Sequence, residues 1–183
     1  MELRDQYSRM VKVYDNILSD DWCDKLISIF ESSKNQEYLN HNHTPCFTQL
    51  NINQHHPDLI QDLVVVIQKA YGNYCADIKN KHIPRLKSLE EFRVKRYLPN
   101  SEERFDEHVD VVNHSSAIRA VAFLFYLNDN DGNTVFPLHD LKIKPKRGRV
   151  LVFPPTWEYP HAGLSSSDNS KYILSTYIHY GTN

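Results

Sequence analysis

The sequence predicts a mainly β protein, a jelly-roll-like barrel of seven or eight antiparallel strands with helices packed outside it. Three observations carry that prediction. Apolar residues recur at helical spacing in two segments before residue 80. From Phe92 onward they fall instead in short runs separated by turn-forming stretches. One of these runs, Ile118–Leu127, is apolar on both faces, as a strand enclosed by neighbours must be. At 183 residues the chain is expected to form one domain, with 1–90 as helical support and 91–183 as the barrel.

The elements follow in order. Ser19-Asp20-Asp21 supplies an N-cap and first-turn acids, and Trp22, Leu26, Ile27, Ile29 and Phe30 continue at helical spacing. Pro57 suits the first turn of a second helix, whose stripe is Leu59, Ile60, Leu63, Val64, Ile67 and Tyr71 and which runs to about Ile78. Residues 34–56 are rich in Asn, His and Thr and read as loop plus a short strand near Phe47–Ile52. Further strands are expected at Phe92–Tyr97, Phe105–Asp110, Ile118–Leu127, Arg149–Phe153 and Lys171–Tyr180. Asn128–Asn133, Lys144–Gly148 and Ser165–Ser170 separate them as turns. Trp22 and Trp157 read as packing residues.

Composition removes several functions. The five glycines stand too far apart for GxGxxG or GxxxxGK[ST], so no fingerprint dinucleotide site and no Walker-type ATPase is on offer. A net charge of -2 gives no global reason to bind nucleic acid. The densest basic cluster, Lys142, Lys144, Lys146, Arg147 and Arg149, contains Pro145 and Gly148 and reads as a solvated hairpin turn. Three cysteines without a CxxC pair argue against a disulfide framework and for a reducing compartment. The charged N-terminus lacks an apolar signal region, and the longest apolar run, Ala120–Leu127, is too short for a bilayer. A cytoplasmic protein without a membrane partner is expected.

Ten histidines invite a search for metal ligands, and an HxD tripeptide arises by composition alone about once. Two occur. In His56-Pro57-Asp58 the proline opens a helix, so Asp58 is explained as a first-turn acid. His108-Val109-Asp110 lies in a strand candidate, where alternation puts both side chains on one face. His161 follows the apolar strand Val150–Phe153 after Pro154-Pro155, so a neighbouring antiparallel strand could bring it opposite the HxD pair. Two His and one carboxylate make the facial triad of non-haem Fe(II) oxygenases. His108, Asp110 and His114 form an alternative set, which leaves His161 and Lys171 unexplained. On the last strand Lys171, Ile173, Ser175, Tyr177 and His179 share one face. A buried lysine facing a metal cavity needs an anion, such as the carboxylate of an organic acid.

Several ordered segments resemble the Fe(II)/2-oxoglutarate dioxygenases, and within them the prolyl 4-hydroxylase-like group. Tyr97-Leu98-Pro99 before His108-Val109-Asp110 is similar to that group's Tyr-x-Pro-Gly leading into HxD. Phe125-Tyr126-Leu127-Asn128 resembles its YLN strand, and Asp131–Pro137 its GGxTxFP. Lys144–Gly148 resembles its KPxxG turn, His161-Ala162-Gly163 its distal-ligand HxG, and Lys171 falls at the spacing of its 2-oxoglutarate lysine. The resemblance covers roughly residues 90–180, and the helical part in outline. It implies a double-stranded β-helix in which His108, Asp110 and His161 hold Fe(II). It also implies that Lys171 pairs with the distal carboxylate of 2-oxoglutarate, with the Tyr97 hydroxyl donating to it and Thr134 nearby.

The implied reaction couples O2 and 2-oxoglutarate to hydroxylation of a C–H bond, on a prolyl residue of a peptide or protein, with release of succinate and CO2. Ascorbate is a further cofactor to be tested. Arg93 and Lys95 share strand parity with Tyr97, so they would line the approach and favour acidic substrates, with Tyr177 beside them. The departures are Asn100 for the glycine, two extra residues between Tyr97 and His108, Asp131 for a glycine, and Tyr177 for a tryptophan. No Arg-Thr-Ser segment is recognisable around His41–Asn51. The alternatives are a nucleic-acid dealkylase, disfavoured by the absence of arginine from Ala162–Asn183, another hydroxylase, and a metal-binding jelly roll without turnover.

Overall fold

Local signals place the first helix where the sequence puts it. In the computed structural model, which describes residues 9–41, 45–99 and 102–181, α1 spans Asp20–Ser32. Ser19 caps it, its Oγ accepting from the Trp22 amide at 3.3 Å. Strand β1 (Lys12–Tyr14) precedes it, and β2 (Glu37–Asn40), β3 (Cys46–Asn51) and the single turn α2 (Ile52–His55) follow. Pro57 begins a short 3-10 turn that leads into α3 (Ile60–Ile78). The remaining strands are β4 (Arg93–Tyr97), β5 (Phe105–His108), β6 (Arg119–Tyr126), β7 (Thr134–Phe136), β8 (Leu141–Ile143), β9 (Val150–Phe153), β10 (His161–Gly163) and β11 (Lys171–His179).

Among the described residues all the strand pairings are antiparallel and make two sheets, ordered β1-β9-β6-β11-β4-β3-β2 and β5-β10-β7-β8. Together they form the jelly roll that the sequence predicts. Alternation along the central strands divides the apolar residues between two cores. Leu50, Val94, Phe123, Phe125, Val150, Val152, Leu174 and Ile178 pack with Leu26 and Phe30 of α1 and Leu63, Ile67, Tyr71 and Tyr74 of α3. Their alternates Phe47, Tyr97, Ala122, Tyr126, Leu151, Phe153 and Ile173 join Phe136 and Tyr159 between the sheets. Each fully buried Phe or Leu contributes about 1.5–3 kcal/mol. β6 is apolar on both faces because it feeds both cores.

The β8–β9 turn shows a role the sequence did not signal. Arg149 Nε lies 2.7 Å from Asp15 Oδ1, and Arg147 reaches Asp20 at 3.0 Å and Asp24 at 2.7 Å. The basic cluster is therefore a turn whose arginines clamp the start of α1, rather than a wholly solvated one. Gly148 sits there at φ 74°, and a Cβ on it would lie 2.5 Å from the Leu18 carbonyl oxygen, so only glycine fits.

Strands β1, β2, β7, β8 and β10 were not expected; at three or four residues each they carry too few alternations to register. Trp157 corrects another expectation. It is 75% exposed, because the turn closed by the Tyr159 amide on the Thr156 carbonyl (2.9 Å) sends Tyr159 inward in its place.

Candidate active site

The small sheet delivers two histidines to one point. β10 pairs with β5 so that His161 stands opposite His108, with ring centroids 4.3 Å apart. β5 ends at His108, and the chain then bends as the Asp110 and Val111 amides donate to the Pro155 carbonyl at 3.2 and 3.1 Å. That bend carries Asp110 back over the histidines.

Hydrogen bonds fix which nitrogen each ring presents. His108 Nδ1 lies 2.7 Å from the Asp106 carbonyl and His161 Nδ1 3.1 Å from the Tyr159 carbonyl. A carbonyl only accepts, so each Nδ1 carries the proton and each Nε2 lone pair is free. The two Nε2 atoms lie 3.6 and 3.7 Å from the Asp110 carboxylate oxygens, and the three ligand atoms all lie within 4.8 Å of one another. They are too distant to hydrogen-bond and close enough to share a cation. Asp110 Oδ2 is buried without a hydrogen-bond partner, a costly arrangement that a metal ion relieves. Burial pushes the Asp110 carboxyl up, but His108 and His161 outweigh it and hold the group at about 2. Among the described residues no other triad of His, Cys, Asp or Glu ligands is assembled: His56 and Asp58 stay apart from it, and His114 is exposed on the loop after Asp110.

Aromatic rings wall the triad. Phe105 stacks on His108 with centroids 3.4 Å apart and planes 6° from parallel, while Phe153 meets the His161 ring edge-on at 4.7 Å. Behind Asp110, Arg119 donates from Nη1 to the Asp110 backbone carbonyl (2.9 Å) and from Nε and Nη2 to the two Glu90 oxygens (2.7 Å each). Its guanidinium also lies 4.3 Å from the centre of the Tyr177 ring. Sequence reasoning missed Glu90 and Arg119. They stand 20 and nine residues from Asp110, Glu90 in the segment before β4 and Arg119 at the start of β6, where no spacing rule joins them.

The triad opens on an inner chamber walled also by Tyr97, Leu124, Thr134, Gly163, Lys171, Ile173 and Ser175. Lys171 is only 2% exposed and cross-strand neighbour to Tyr97, with its Nζ 5.5 Å from that ring's centre. Burial alone draws its ammonium down to about 7, with no carboxylate among the described residues to offset it. A Cβ on Gly163 would come within 3.7 Å of this Nζ, so the glycine leaves room beside the amine. Thr134 is buried and accepts from the Tyr126 hydroxyl at 2.8 Å. An outer groove of about 440 Å³ shares Lys95, Phe105, His108, Asp110, Ser175 and Tyr177 with the chamber and adds Glu90, Glu91, Arg93 and Arg119.

The expected residues thus converge. His108, Asp110, His161, Lys171, Tyr97, Thr134, Lys95 and Tyr177 all line the chamber, while Arg93 lies only in the groove, paired with Glu91 at 2.8 Å and Glu90 at 3.4 Å. Asn100 lies outside the described residues; on either side of it, the Leu98 amide donates to the buried Glu103 carboxylate at 2.6 Å. Asp131 joins two loops, accepting from Ser166 Oγ at 2.8 Å and the Ser167 amide at 3.0 Å.

Comparison with known proteins agrees with this geometry. A sequence model of the 2OG-Fe(II) oxygenase superfamily matches residues 92–179, which include the triad and Lys171. A putative prolyl 4-hydroxylase of Acanthamoeba polyphaga mimivirus is 30% identical over 133 residues, 62% of this chain and 52% of that protein. The chain therefore spans about half the length of that curated relative. Among solved structures, the viral collagen prolyl hydroxylase of Paramecium Bursaria Chlorella virus-1, in its 2OG complex, superposes with a TM-score of 0.69 at 23% identity, covering 94% of this chain and 97% of that one. A Trichoplax adhaerens prolyl hydroxylase bound to a hypoxia inducible factor peptide gives 0.75 at 16% identity, covering 97% and 87%. The stretch that matches the 2OG-Fe(II) oxygenase superfamily, residues 92–179, is thus the one whose strands bring the triad and the buried lysine together.

Proposed function

We propose that this chain is an Fe(II)- and 2-oxoglutarate-dependent dioxygenase that hydroxylates a prolyl residue of a peptide or protein, releasing succinate and CO2. One observation carries the reading. A carboxylate oxygen without a partner, two aligned imidazole nitrogens and an uncompensated buried ammonium face one chamber. The first three groups call for a cation and the fourth for an anion, and a metal-chelating dicarboxylate satisfies both. The named prolyl hydroxylase relatives support the prolyl substrate.

His108, Asp110 and His161 would hold Fe(II), which with O2 and 2-oxoglutarate supplies the oxidising chemistry when bound. The protein's own residues bind, orient and shield. Lys171 gives the distal carboxylate of 2-oxoglutarate its ion pair, and the Tyr97 hydroxyl donates to the same group. Thr134, already accepting from Tyr126, keeps its own hydroxyl proton for that end of the chamber. Phe105 fixes the His108 ring, and Arg119 fixes the backbone that presents Asp110. Phe136 and Phe153 keep water from the back of His161. Substrate enters through the outer groove, past Lys95 and Tyr177.

The test is to incubate protein with Fe(II), 2-oxoglutarate, O2 and proline-containing peptides, with and without ascorbate. A mass gain of one oxygen on proline, lost in Asp110→Ala, is expected. Succinate release stimulated only by alkylated DNA would replace the prolyl substrate with a nucleic-acid one. No helix is long and apolar enough to cross a membrane among the described residues, in keeping with the cytoplasmic location we propose.

A further inference from the structure

Three cations stand on or over the wall of the outer groove, and they are not equivalent. Arg93 is paired with Glu90 and Glu91, and Arg119 with Glu90 and the Asp110 carbonyl. Lys95 makes no ion pair among the described residues, its ammonium lying 5.1 Å from the centre of the Phe47 ring. It is also the one of the three that walls both the chamber and the groove. Burial draws its ammonium down to about 8, with Asp110 pulling the other way and Arg93 and Arg119 adding repulsion.

Strand register locates this charge relative to the other lysine. Tyr97 pairs with Lys171 across β4 and β11, and Lys95 with Ile173, one two-residue step toward the groove. Such a step is about 6.6 Å. Lys171 therefore serves the deep end of the chamber, and Lys95 the junction where a substrate passes from groove to triad. The neighbouring arginines, already neutralised, contribute little attraction of their own. An anion arriving at this junction meets an ammonium that no described carboxylate holds in an ion pair, in a partly desolvated setting where a charged hydrogen bond is stronger than at a free surface.

We propose that Lys95 is the specificity-determining residue of this site and selects substrates with an acidic side chain beside the hydroxylated prolyl residue. The proposal rests on the prolyl hydroxylase reading for the identity of the reacting residue, and on the groove alone for the acidic neighbour.

The test uses short peptides with one proline flanked by Glu, Gln or Lys, and the same set with alanine replacing the proline. Affinity is measured by calorimetry under nitrogen with Fe(II) and 2-oxoglutarate present, and hydroxylation by mass after air is admitted. Wild type should bind the Glu peptide about 10- to 100-fold more tightly than the Gln peptide, in both the proline and alanine sets. Lys95→Met should erase that preference while 2-oxoglutarate affinity stays within about two-fold. Lys95→Glu should turn it toward the Lys peptide, which loss of structure would not do. Equal or undetectable binding of the Glu and Gln peptides by wild type overturns the proposal, whatever the variants do. So does a loss of 2-oxoglutarate affinity in Lys95→Met with peptide preference intact, which would assign the amine to the co-substrate. Glu-selective binding without a mass gain on any proline peptide would leave Lys95 as the selector and overturn the prolyl reading alone.

Discussion

Replacing Lys171 by Met should make the ligand-free protein more stable and unable to use 2-oxoglutarate. Lys171 is 2% exposed, and burial alone takes its amine from 10.5 to about 7. That displacement corresponds to an upper bound of about 5 kcal/mol of native-state cost. Local water relaxation takes part of it, so a gain of about 2–4 kcal/mol in Lys171→Met at pH 6 is expected, roughly 5–15 °C in Tm. The sign follows from linkage. The folded value lies below the unfolded one, so the native state binds fewer protons between the two. The cost is therefore full below about pH 7 and fades as pH rises toward 10.5. Unfolding by denaturant at pH 6 and pH 9 should show the variant's advantage shrinking at the higher pH. With Fe(II) under nitrogen, 2-oxoglutarate at 100 times its Kd should stabilise wild type by about 2.7 kcal/mol and leave the variant unchanged. A variant less stable than wild type at pH 6, or equally stabilised by 2-oxoglutarate, would refute the reasoning.

Three further outcomes follow from the packing. Gly148→Ala places a methyl against the Leu18 carbonyl at positive φ and should cost more than about 2 kcal/mol in chemical denaturation. Phe123→Ala empties a fully buried site facing both helices and should cost about 3–5 kcal/mol. Glu90→Gln weakens the bidentate hold on Arg119 and with it the backbone of Asp110, so Fe(II) affinity should fall about 10- to 100-fold in a competition titration. Unchanged affinity there would remove Glu90 from the support of the triad.

How much of this was legible in the sequence depended on the length of the signal. α1 and α3 announce themselves through a cap at Ser19, a proline at 57 and long apolar stripes. β6 and β11 are eight and nine residues long, enough to show which face is enclosed. β7, β8 and β10 have three residues each, and pairing rather than propensity makes them strands. In the site, His108 and Asp110 share a tripeptide, and alternation along β11 places Lys171 and Tyr177 on the chamber face. His161 needed the β5–β10 register, which no local pattern states. The support of Glu90 and Arg119 was invisible because it joins a loop residue to a strand start 29 residues on. Parity also put Arg93 and Lys95 on one face correctly, yet could not reveal that Glu90 and Glu91 neutralise the first and leave the second. Trp157 misled because its size suggests burial, whereas Tyr159 two residues on takes that place.

The most direct measurement is optical. Wild-type protein mixed with Fe(II) and 2-oxoglutarate under nitrogen should develop a visible charge-transfer band, and admitting oxygen should bleach it with release of succinate. Asp110→Ala should give neither signal. A wild-type sample with no band and no succinate, or an Asp110→Ala variant that binds Fe(II) as tightly as wild type, would contradict the metal centre on which the proposed function stands.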